Sequence, residues 1–266
     1  MCNSAYVNLA ILAALSAGEL LKKGFRSSLS ISNKEGKQNL VTQYDLLSEQ
    51  MLMERIQKEY KDHSFLTEES GLHEAKSEWT WVIDPLDGTV NFAKGIPCFA
   101  VSIALFFRKE PVMGTIFHPL TQELFVAEKG KGAFLNGQHI QVSSTSSFEN
   151  SFLATGLPYN VHENPLDCLH TLSTIAQTGA PIRRLGAACI DLAYVACGRF
   201  DAFWEVVLQP WDFAAASLLV QEAGGIISNY AGNPLDPFLP SPVIGGNPAM
   251  HAVLQKTIAN SLPQGY

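Results

Sequence analysis

The stretch WVIDPLDGTVNF, residues 81 to 92, runs from an apolar segment directly into two acids. Its first three residues have the composition of a buried strand, and Asp84 and Asp87 follow in a turn-forming sequence. One interpretation is a polar turn and nothing more. The end of a buried strand is nevertheless an unfavourable place for two ionised carboxylates, which repel by roughly 4 kcal/mol at about 4 Å. Either one acid is protonated or a cation lies between them.

Magnesium is the natural cation for such a position, because carboxylate, carbonyl and hydroxyl oxygens are hard ligands. Two further acidic segments have the same potential. Glu68 lies in FLTEES, and Asp212 lies in QPWDFAAASLL at the start of an apolar helix. Taken singly, these are a surface acid beside a loop and a helix-capping acid. Taken together with Asp84 and Asp87, they fit one metal site.

The composition of the 266-residue chain, with 47% apolar and 16% charged residues, is that of a soluble globular enzyme. The net charge of −7 argues against a nucleic-acid-binding surface, which is normally basic. An acidic protein attracts an anionic substrate only if bound cations reverse the local field. Five scattered cysteines without C-x-x-C spacing favour reduced thiols and a cytoplasmic location. The apolar opening favours an amphipathic helix over a membrane span.

The order of predicted elements indicates an α+β fold. Helices are expected over about 4–24 and 43–60, followed by consecutive short strands with a hairpin at Asn136-Gly137, which is typical of an antiparallel sheet. A polar stretch near 143–150 precedes alternating strands and helices, which predict a mixed, more parallel sheet. We therefore expect one catalytic domain over 1–266 with sub-halves of about 1–145 and 146–266.

Other hydrolytic chemistries lack their motifs. The sequence contains no G-x-x-x-x-G-K-[ST], no H-E-x-x-H and no G-x-S-x-G, and no cysteine is followed by an arginine at the phosphatase spacing. The D-x-D-x-T pattern of aspartyl-phosphate enzymes fails because Pro85 stands where the nucleophile would be. Metal-activated water remains as the attacking group.

At this point the sequence resembles the inositol monophosphatase family. Residues 84–92 are similar to its signature D-P-[IL]-D-G-T-x-N-F, and residues 211–216 and 222–225 to W-D-x-A-A-[GA] followed by E-A-G-G. Residues 67–70 are similar to G-E-E-S, and residues 39–45 to D-L-V-T-x-x-D. The resemblance runs in order from the first helix to the last strand.

The resemblance implies a layered αβαβα sandwich of the inositol monophosphatase and fructose-1,6-bisphosphatase type. It also implies a lithium-sensitive phosphatase that uses two to three Mg²⁺ ions and forms a homodimer. In that scheme Asp84 bridges two metals, and a third, weaker ion near Glu68 helps to position the attacking water. The implied ligands that complete the two main sites are Glu68, the Leu86 carbonyl and Thr89 for one, and Asp87 and Asp212 for the other.

The resemblance also implies roles outside the metal shell. Thr89, hydrogen-bonded to Asp45, orients or deprotonates the water, and Lys34 aligns with a lysine of a mobile loop near the metals. The implied substrate contacts are Asp87, Gly88, Thr89, Gly186, Ala187, Ala188, Glu205 and Asp212. Three positions depart from the family pattern: Asn39 replaces Asp, Thr67 replaces Gly, and Ala187 replaces Thr or Ser.

Inositol monophosphate is the favoured substrate, because Val90-Asn91-Phe92 matches the inositol branch and Glu205 can accept hydrogen bonds from ring hydroxyls. Phosphatases of the same superfamily that act on 3′-phosphoadenosine 5′-phosphate, fructose 1,6-bisphosphate, histidinol phosphate or NADP remain alternatives. A different alternative is a protein-binding cofactor of the transcription machinery on the same fold.

Overall fold

The structure is a computed structural model that describes residues 4–33 and 40–262. Lys34, predicted to lie on a mobile loop, and Asn39 fall outside the described residues.

Two long helices open the fold close to their predicted bounds: α1 (Ala5–Gly24) and α2 (Gln43–Glu59). Helix α1 begins where Ser4 accepts a hydrogen bond from the Val7 N–H. Helix α2 begins with a capping box, in which Thr42 and Asp45 satisfy each other's backbone N–H groups. Between the helices, β1 (Ile31–Asn33) and β2 (Leu40–Thr42) form a small antiparallel pair.

Helix α1 is long and apolar enough to count as a possible membrane span by length and composition. The core helix of a soluble protein meets the same measure, and α1 buries one face against the rest of the fold. Its small residues Ala10, Ala13, Ala14 and Ala17 are buried in the hydrophobic core, which lets α2 approach closely. The amphipathic interpretation therefore accounts for its apolar face.

The first half of the chain forms an eight-stranded sheet in the order β10-β9-β8-β7-β6-β5-β3-β4. Strands β3 and β5 pair in parallel, and the other neighbours pair antiparallel, as the consecutive strands predicted. The hairpin predicted at Asn136-Gly137 joins β9 to β10. The strands are β3 (Ser64–Thr67), β4 (Gly71–His73), β5 (Trp79–Asp87), β6 (Ala100–Phe107), β7 (Glu110–His118), β8 (Glu123–Glu128), β9 (Ala133–Leu135) and β10 (Gln138–Ile140).

The second half forms a five-stranded mixed sheet in the order β12-β11-β13-β15-β14. The β12–β11 and β11–β13 pairs are parallel, and the β13–β15 and β15–β14 pairs are antiparallel. Its strands are β11 (Leu153–Thr155), β12 (Ile182–Arg183), β13 (Ala202–Leu208), β14 (Ile226–Ser228) and β15 (Ser241–Gly246). The remaining helices are α3 (Thr89–Ala93), α4 (Cys168–Ala176), α5 (Ala188–Ala196), α6 (Pro210–Glu222) and α7 (Pro248–Ser261).

Three hydrophobic clusters hold five layers together and confirm the predicted αβαβα sandwich. One cluster joins α1 and α2 to the eight-stranded sheet. A second joins both sheets through α5 and α6, and the third joins the five-stranded sheet to α4 and α7. Because α5 and α6 form the central layer, the two halves of the chain share a core. The division into sub-halves inside a single catalytic domain remains a prediction.

Candidate active site

Strand β5 contains a β-bulge between Asp84 and Asp87, and the bulge explains how two acids three positions apart can lie on one face of the sheet. Asp84 pairs with Ser102 and Asp87 pairs with Ala100, so three steps along β5 match two steps along β6. Side chains three apart on a regular strand point to opposite faces, and one extra residue brings them to the same face. Asp84 and Asp87 therefore share the face of the sheet that carries Val82 and packs against α5 and α6.

The bulge is stable because its backbone groups find partners. Pro85 has no N–H to leave unpaired, and its carbonyl accepts a hydrogen bond from the buried Ser48 hydroxyl of α2 at 2.8 Å. The Leu86 N–H donates to Asp84 Oδ1 at 2.9 Å. The Leu86 carbonyl lies 3.0 Å from the Thr89 hydroxyl. A buried bulge would otherwise leave costly unsatisfied polar groups.

Thr89 links the bulge to helix α2. Its Oγ1 lies 2.8 Å from Asp45 Oδ1 and 3.0 Å from the Leu86 carbonyl, and its single proton serves one of them at a time. The other oxygen of Asp45 accepts from the Thr42 N–H at 2.8 Å and from the Thr42 hydroxyl at 2.6 Å. Burial raises the pKa of Asp45, although these hydrogen bonds partly offset the rise. The predicted Thr89–Asp45 hydrogen bond is present.

The chain's other two predicted metal-binding acids reach the same region from different elements. Asp212 lies in the first turn of α6, where its Oδ2 accepts the Gln209 N–H at 2.7 Å, so it is a capping acid as well. Glu68 follows β3 and shares a side-chain hydrogen bond with Asp84, which requires a proton on one of the two carboxyls. Asp87 Oδ2 accepts the Cys189 N–H at 2.8 Å at the start of α5.

A cleft of about 720 Å³ opens at this point, where α5 and α6 begin beside the end of β5. Among the described residues that line it, Arg184 is the single cation. The acids that line it are Glu68, Asp84, Asp87, Asp191, Glu205 and Asp212. Such an excess of negative charge repels a phosphate ester unless cations bind first.

Burial is the main cause of the raised carboxyl pKa values in the cleft. It raises the pKa of Asp84 well above the ordinary range, and the neighbouring charges of Glu68 and Asp87 raise it further. The pKa of Asp212 rises well above its ordinary value for the same reasons, with Asp87 as the strongest neighbour. Burial also raises the pKa of Asp87 to about 6, a rise that the hydrogen bonds from Cys189 limit. Protons or cations must compensate this cluster.

The donor set suits Mg²⁺. Backbone N–H groups hold one oxygen each of Asp84, Asp87 and Asp212, which fixes the carboxylates and leaves each a second oxygen. Carboxylate, carbonyl and hydroxyl oxygens are the ligands that Mg²⁺ prefers, and it keeps several waters that need the room of the cleft. Within the described ranges, no three His, Cys, Asp or Glu side chains are already arranged as a metal shell. An ion bound here would therefore have to draw the carboxylates together.

The wall of the cleft that carries the predicted substrate contacts is built by the start of α5 and the second half of β13. Gly186 has a positive φ of 82° and precedes Ala187, which occupies the N-cap of α5 without a side-chain cap bond. Glu205 lies on β13 before a second bulge, where Glu205 pairs with Val243 and Leu208 with Ser241. Burial raises the pKa of Glu205 to about 8, and the positive charge of the nearby Arg184 limits that rise. All these residues line the cleft, and their role as substrate contacts stays a prediction.

A sequence model of the inositol monophosphatase family matches residues 3–263. The chain belongs to the inositol monophosphatase family. Nus factor SuhB of Pseudomonas aeruginosa is 42% identical to it, with 97% of each chain covered.

Solved structures of the inositol monophosphatase fold agree with this assignment. The crystal structure of extragenic suppressor protein suhB from Bartonella henselae superposes with a TM-score of 0.91 and 38% identity, covering 99% of this chain and 100% of that one. An IMPase of Thermotoga maritima superposes with a TM-score of 0.88 and 30% identity, covering 97% of this chain and 98% of that one.

Predictions based on the family's motifs omitted three residues that line the cleft or contact its acids. Cys189, one of the scattered cysteines without motif spacing, donates its N–H to Asp87. Asp191 lines the cleft from α5, and its only sequence signal is an acid inside the apolar run ACIDLAYVA. Gly156 also lines the cleft, and nothing in its local sequence marks it.

Gly156 provides the space that Glu205 occupies. A methyl group at Gly156 would overlap the Glu205 carboxylate, and the backbone there has no positive φ that would by itself penalise alanine. We expect Gly156→Ala to displace Glu205 and to lower kcat/KM for inositol 1-phosphate about tenfold, with 4-nitrophenyl phosphate changed less than about twofold. Phosphate-release assays on both esters measure this selectivity.

The matched background for this test is Glu205→Ala, which leaves room for the added methyl group. There, Gly156→Ala should have little further effect, because the two changes act through one contact. Equal losses in both backgrounds would contradict the steric explanation.

Proposed function

We propose that the chain is a Mg²⁺-dependent phosphomonoester hydrolase whose preferred substrate is an inositol monophosphate, cleaved by direct attack of water. The observation that carries the proposal is the bulge in β5, because it brings Asp84 and Asp87 to one face beside Glu68 and Asp212. Membership of the inositol monophosphatase family supports the same chemistry.

The residues proposed to hold two to three Mg²⁺ ions are Glu68, Asp84, the Leu86 carbonyl, Asp87, Thr89 and Asp212. When bound, the ions supply a hydroxide near neutral pH, a clamp on phosphate oxygens and stabilisation of the leaving alkoxide. Phosphate monoester hydrolysis is among the slowest uncatalysed reactions, with accelerations of up to about 10²¹-fold, and a general base supplies roughly 10²–10⁴ of that.

The chain's own residues are proposed to orient the attacking water, accept its proton and bind the phosphate oxygens. Thr89 and Asp45 form a hydrogen-bonded pair directly behind the bulge, so the hydroxyl can pass the water's proton toward the buried Asp45 carboxylate. Glu68 helps to position the same water. The N–H groups of Gly88 and Thr89 are proposed to donate to phosphate oxygens at the start of α3. Gly88 has a φ of 89°, and a Cβ there would lie 2.8 Å from the Cys98 carbonyl, so the close turn depends on glycine.

The alcohol half of the substrate is proposed to contact the other side of the cleft. Glu205 and the turn at Gly186, Ala187 and Ala188 face it there, and the carboxylate can accept hydrogen bonds from ring hydroxyls. Ala187 provides no hydroxyl of its own, so its contact is through the backbone.

A phosphate-release panel with Mg²⁺ tests the proposal. It includes inositol 1-phosphate, 3′-phosphoadenosine 5′-phosphate, fructose 1,6-bisphosphate, histidinol phosphate and NADP. The proposal expects the largest kcat/KM for inositol 1-phosphate, loss of release with a chelator, and inhibition by millimolar lithium. A different preferred ester would move the chain to another substrate class, and release that is unaffected by chelator would exclude metal-dependent hydrolysis.

We propose a second function because a relative named a Nus factor is 42% identical to this chain and is matched over 97% of its length. The chain would then bind the transcription machinery as a protein partner, with the acidic surface still expected not to bind nucleic acid directly. Binding of purified bacterial RNA polymerase by the wild type and by Asp84→Asn would test this role separately from hydrolysis. The homodimer and the cytoplasmic location also remain proposals.

A further inference from the structure

One face of α2 carries three buried polar residues, although a helix packed on a hydrophobic core normally buries apolar ones. Asp45, Ser48 and Glu49 are three and four positions apart, which places them on the same face, and each is at most 5% exposed. Burying a polar group costs free energy unless the group is hydrogen-bonded. The hydrogen-bond partners of these side chains therefore indicate what this face of α2 does.

Two of the three side chains contact the bulge of β5 and the residue that follows it. Asp45 accepts a hydrogen bond from the Thr89 hydroxyl at 2.8 Å, and the Ser48 hydroxyl donates to the Pro85 carbonyl at 2.8 Å. Helix α2 is thereby fixed against the strand that carries two of the proposed metal ligands.

Glu49 makes the third contact, and it reaches the turn that carries Glu68. Its Oε2 accepts the N–H of Glu69 at 2.8 Å. The turn, residues 68–70, joins β3 to β4. On its other side, the N–H of Glu68 donates to the Ile83 carbonyl of β5 at 3.3 Å. The backbone of the two adjacent acids is therefore held by β5 and by α2 together.

The turn lies at the edge of the eight-stranded sheet, where local structure is weakest. The outermost strand there is β4, which has three residues, two of them exposed. Short edge hairpins have few buried contacts and open at a low cost in free energy. Glu68 must nevertheless keep its carboxylate beside Asp84 if both are to bind one ion. A hydrogen bond from a backbone N–H to a carboxylate is roughly twice as strong as a neutral one, which suits this task.

We propose that Glu49 is a positioning residue that holds Glu68 in the proposed metal site by binding the N–H of Glu69. This inference rests on the proposed phosphatase function and deepens it. Helix α2 then sets the relative positions of the β5 bulge, Thr89 and the turn of Glu68, because one helix face contacts all three. Glu49 does not itself line the cleft, so it acts on Mg²⁺ through Glu68.

Two variants of Glu49 test the proposal by calorimetric titration with Mg²⁺. Glu49→Leu removes the acceptor, and the dissociation constant of Mg²⁺ is expected to rise about tenfold or more, as it does when a residue that orients a metal ligand is lost. Glu49→Gln keeps an acceptor oxygen and should stay within about threefold of the wild type. If the leucine variant does not fold, Glu49→Ala removes the same acceptor.

Kinetics and hydrogen exchange provide readouts that a merely structural role would not move together. At saturating Mg²⁺, Glu49→Leu should lower kcat for inositol 1-phosphate about tenfold to a hundredfold and change KM less than about threefold, because the proposed substrate contacts lie elsewhere. With chelator, amide exchange in residues 64–73 should be faster in Glu49→Leu than in the wild type and unchanged in Glu49→Gln.

A double-mutant cycle with Glu68 separates positioning from general destabilisation. In a Glu68→Gln background, Glu49→Leu should have little further effect on Mg²⁺ affinity, because both changes act through one carboxylate. Losses that simply add would overturn the proposal. Wild-type Mg²⁺ affinity and kcat in Glu49→Leu, or a loss in Glu49→Gln as large as that in Glu49→Leu, would overturn it as well.

Glu222 offers a matched control on another helix. Its carboxylate also holds the backbone of a turn, since it accepts the N–H groups of Gly130 and Gly132 at 2.8 Å each, and it does not line the cleft. Glu222→Leu should lower the melting temperature and leave the Mg²⁺ affinity within about twofold of the wild type.

Failure of the proposed function is distinguishable from failure of this inference. If the wild type binds Mg²⁺ but releases no phosphate, the proposed function fails, and the Mg²⁺ titrations still decide about Glu49. If the wild type releases phosphate and Glu49→Leu matches it in Mg²⁺ affinity and kcat, only the inference fails. A wild type that binds no Mg²⁺ overturns both.

Discussion

Asp84→Asn and Asp212→Asn are each expected to lower Mg²⁺-dependent phosphate release at least about a thousandfold while the protein still folds. Both carboxylates are held by a backbone N–H and have raised pKa values because they are buried among other acids. An amide of the same shape removes a buried charge but cannot replace an anionic metal ligand. Stability and activity should therefore change in opposite directions.

Thermal melts with chelator and with Mg²⁺ separate the two effects. With chelator, each variant should melt at or above the wild-type temperature; with Mg²⁺, the rise seen for the wild type should shrink. Asp201 provides the contrasting control, because it is a buried acid whose carboxylate accepts the Phe152 N–H and the Ser143 hydroxyl away from the cleft. Asp201→Asn should lose stability and keep its Mg²⁺-dependent activity. Full activity in Asp84→Asn would exclude the metal assignment.

The pH dependence of these melting temperatures tests whether the pKa values of the cleft acids are raised in the folded protein. An acid whose folded pKa is raised holds more protons in the folded than in the unfolded state, so stability falls as pH rises. For Asp87 the loss is expected between its ordinary value of 3.8 and about 6. With chelator, the wild type should therefore be more stable near pH 5 than near pH 7, and Asp84→Asn should show a smaller difference.

Thr89→Val is expected to lower turnover by roughly 10²–10⁴-fold with little change in substrate affinity. Valine keeps the shape of threonine but loses the hydroxyl that lies 2.8 Å from Asp45 Oδ1 and 3.0 Å from the Leu86 carbonyl. The proposed route for the proton of the attacking water is then broken, and one implied metal ligand is lost. Steady-state kinetics on inositol 1-phosphate measure the split between kcat and KM.

The conservative control for this position is Thr89→Ser, which retains the hydroxyl and should keep most of the activity. Asp45→Asn should resemble Thr89→Val in kcat, but it also weakens the cap of α2, because the carboxylate accepts two hydrogen bonds from Thr42. A Thr89→Val variant with wild-type kcat would remove Thr89 and Asp45 from the mechanism.

Local sequence signals predicted the α+β class, and the resemblance to the family implied the layered arrangement. The apolar periodicity of α1, the helix expected over about 43–60 and the Asn136-Gly137 hairpin all predict structure that is present. The parallel β3–β5 pair was not predicted, because strands that follow closely in sequence favour antiparallel pairing. Glu68, Asp84, Asp87 and Asp212, which the family motifs predict to form one site, line one cleft, and their role as metal ligands stays a prediction.

Other features of the site depend on register and on contacts distant in sequence. A bulge is defined by the partner strand, so neither the one after Asp84 nor the one after Glu205 was apparent from local sequence. The role of Gly156 depends on a carboxylate almost fifty positions later, and single-sequence patterns carry no such information. Asp191 was detectable only as an acid among apolar residues.

The bulge in β5 also makes the arrangement of the two acids sensitive to the number of residues in the neighbouring strand β6. Inserting one residue between Ala100 and Ser102 of β6 would match three steps against three, restore an uninterrupted pleat in β5 and turn Asp87 toward the layer of α1 and α2, away from Cys189. The sheet would keep its hydrogen-bonded neighbours, yet the two acids that we propose as ligands of one metal site would lie on opposite faces of it. Such an insertion in β6 would thus take apart the proposed metal site without unfolding the sandwich.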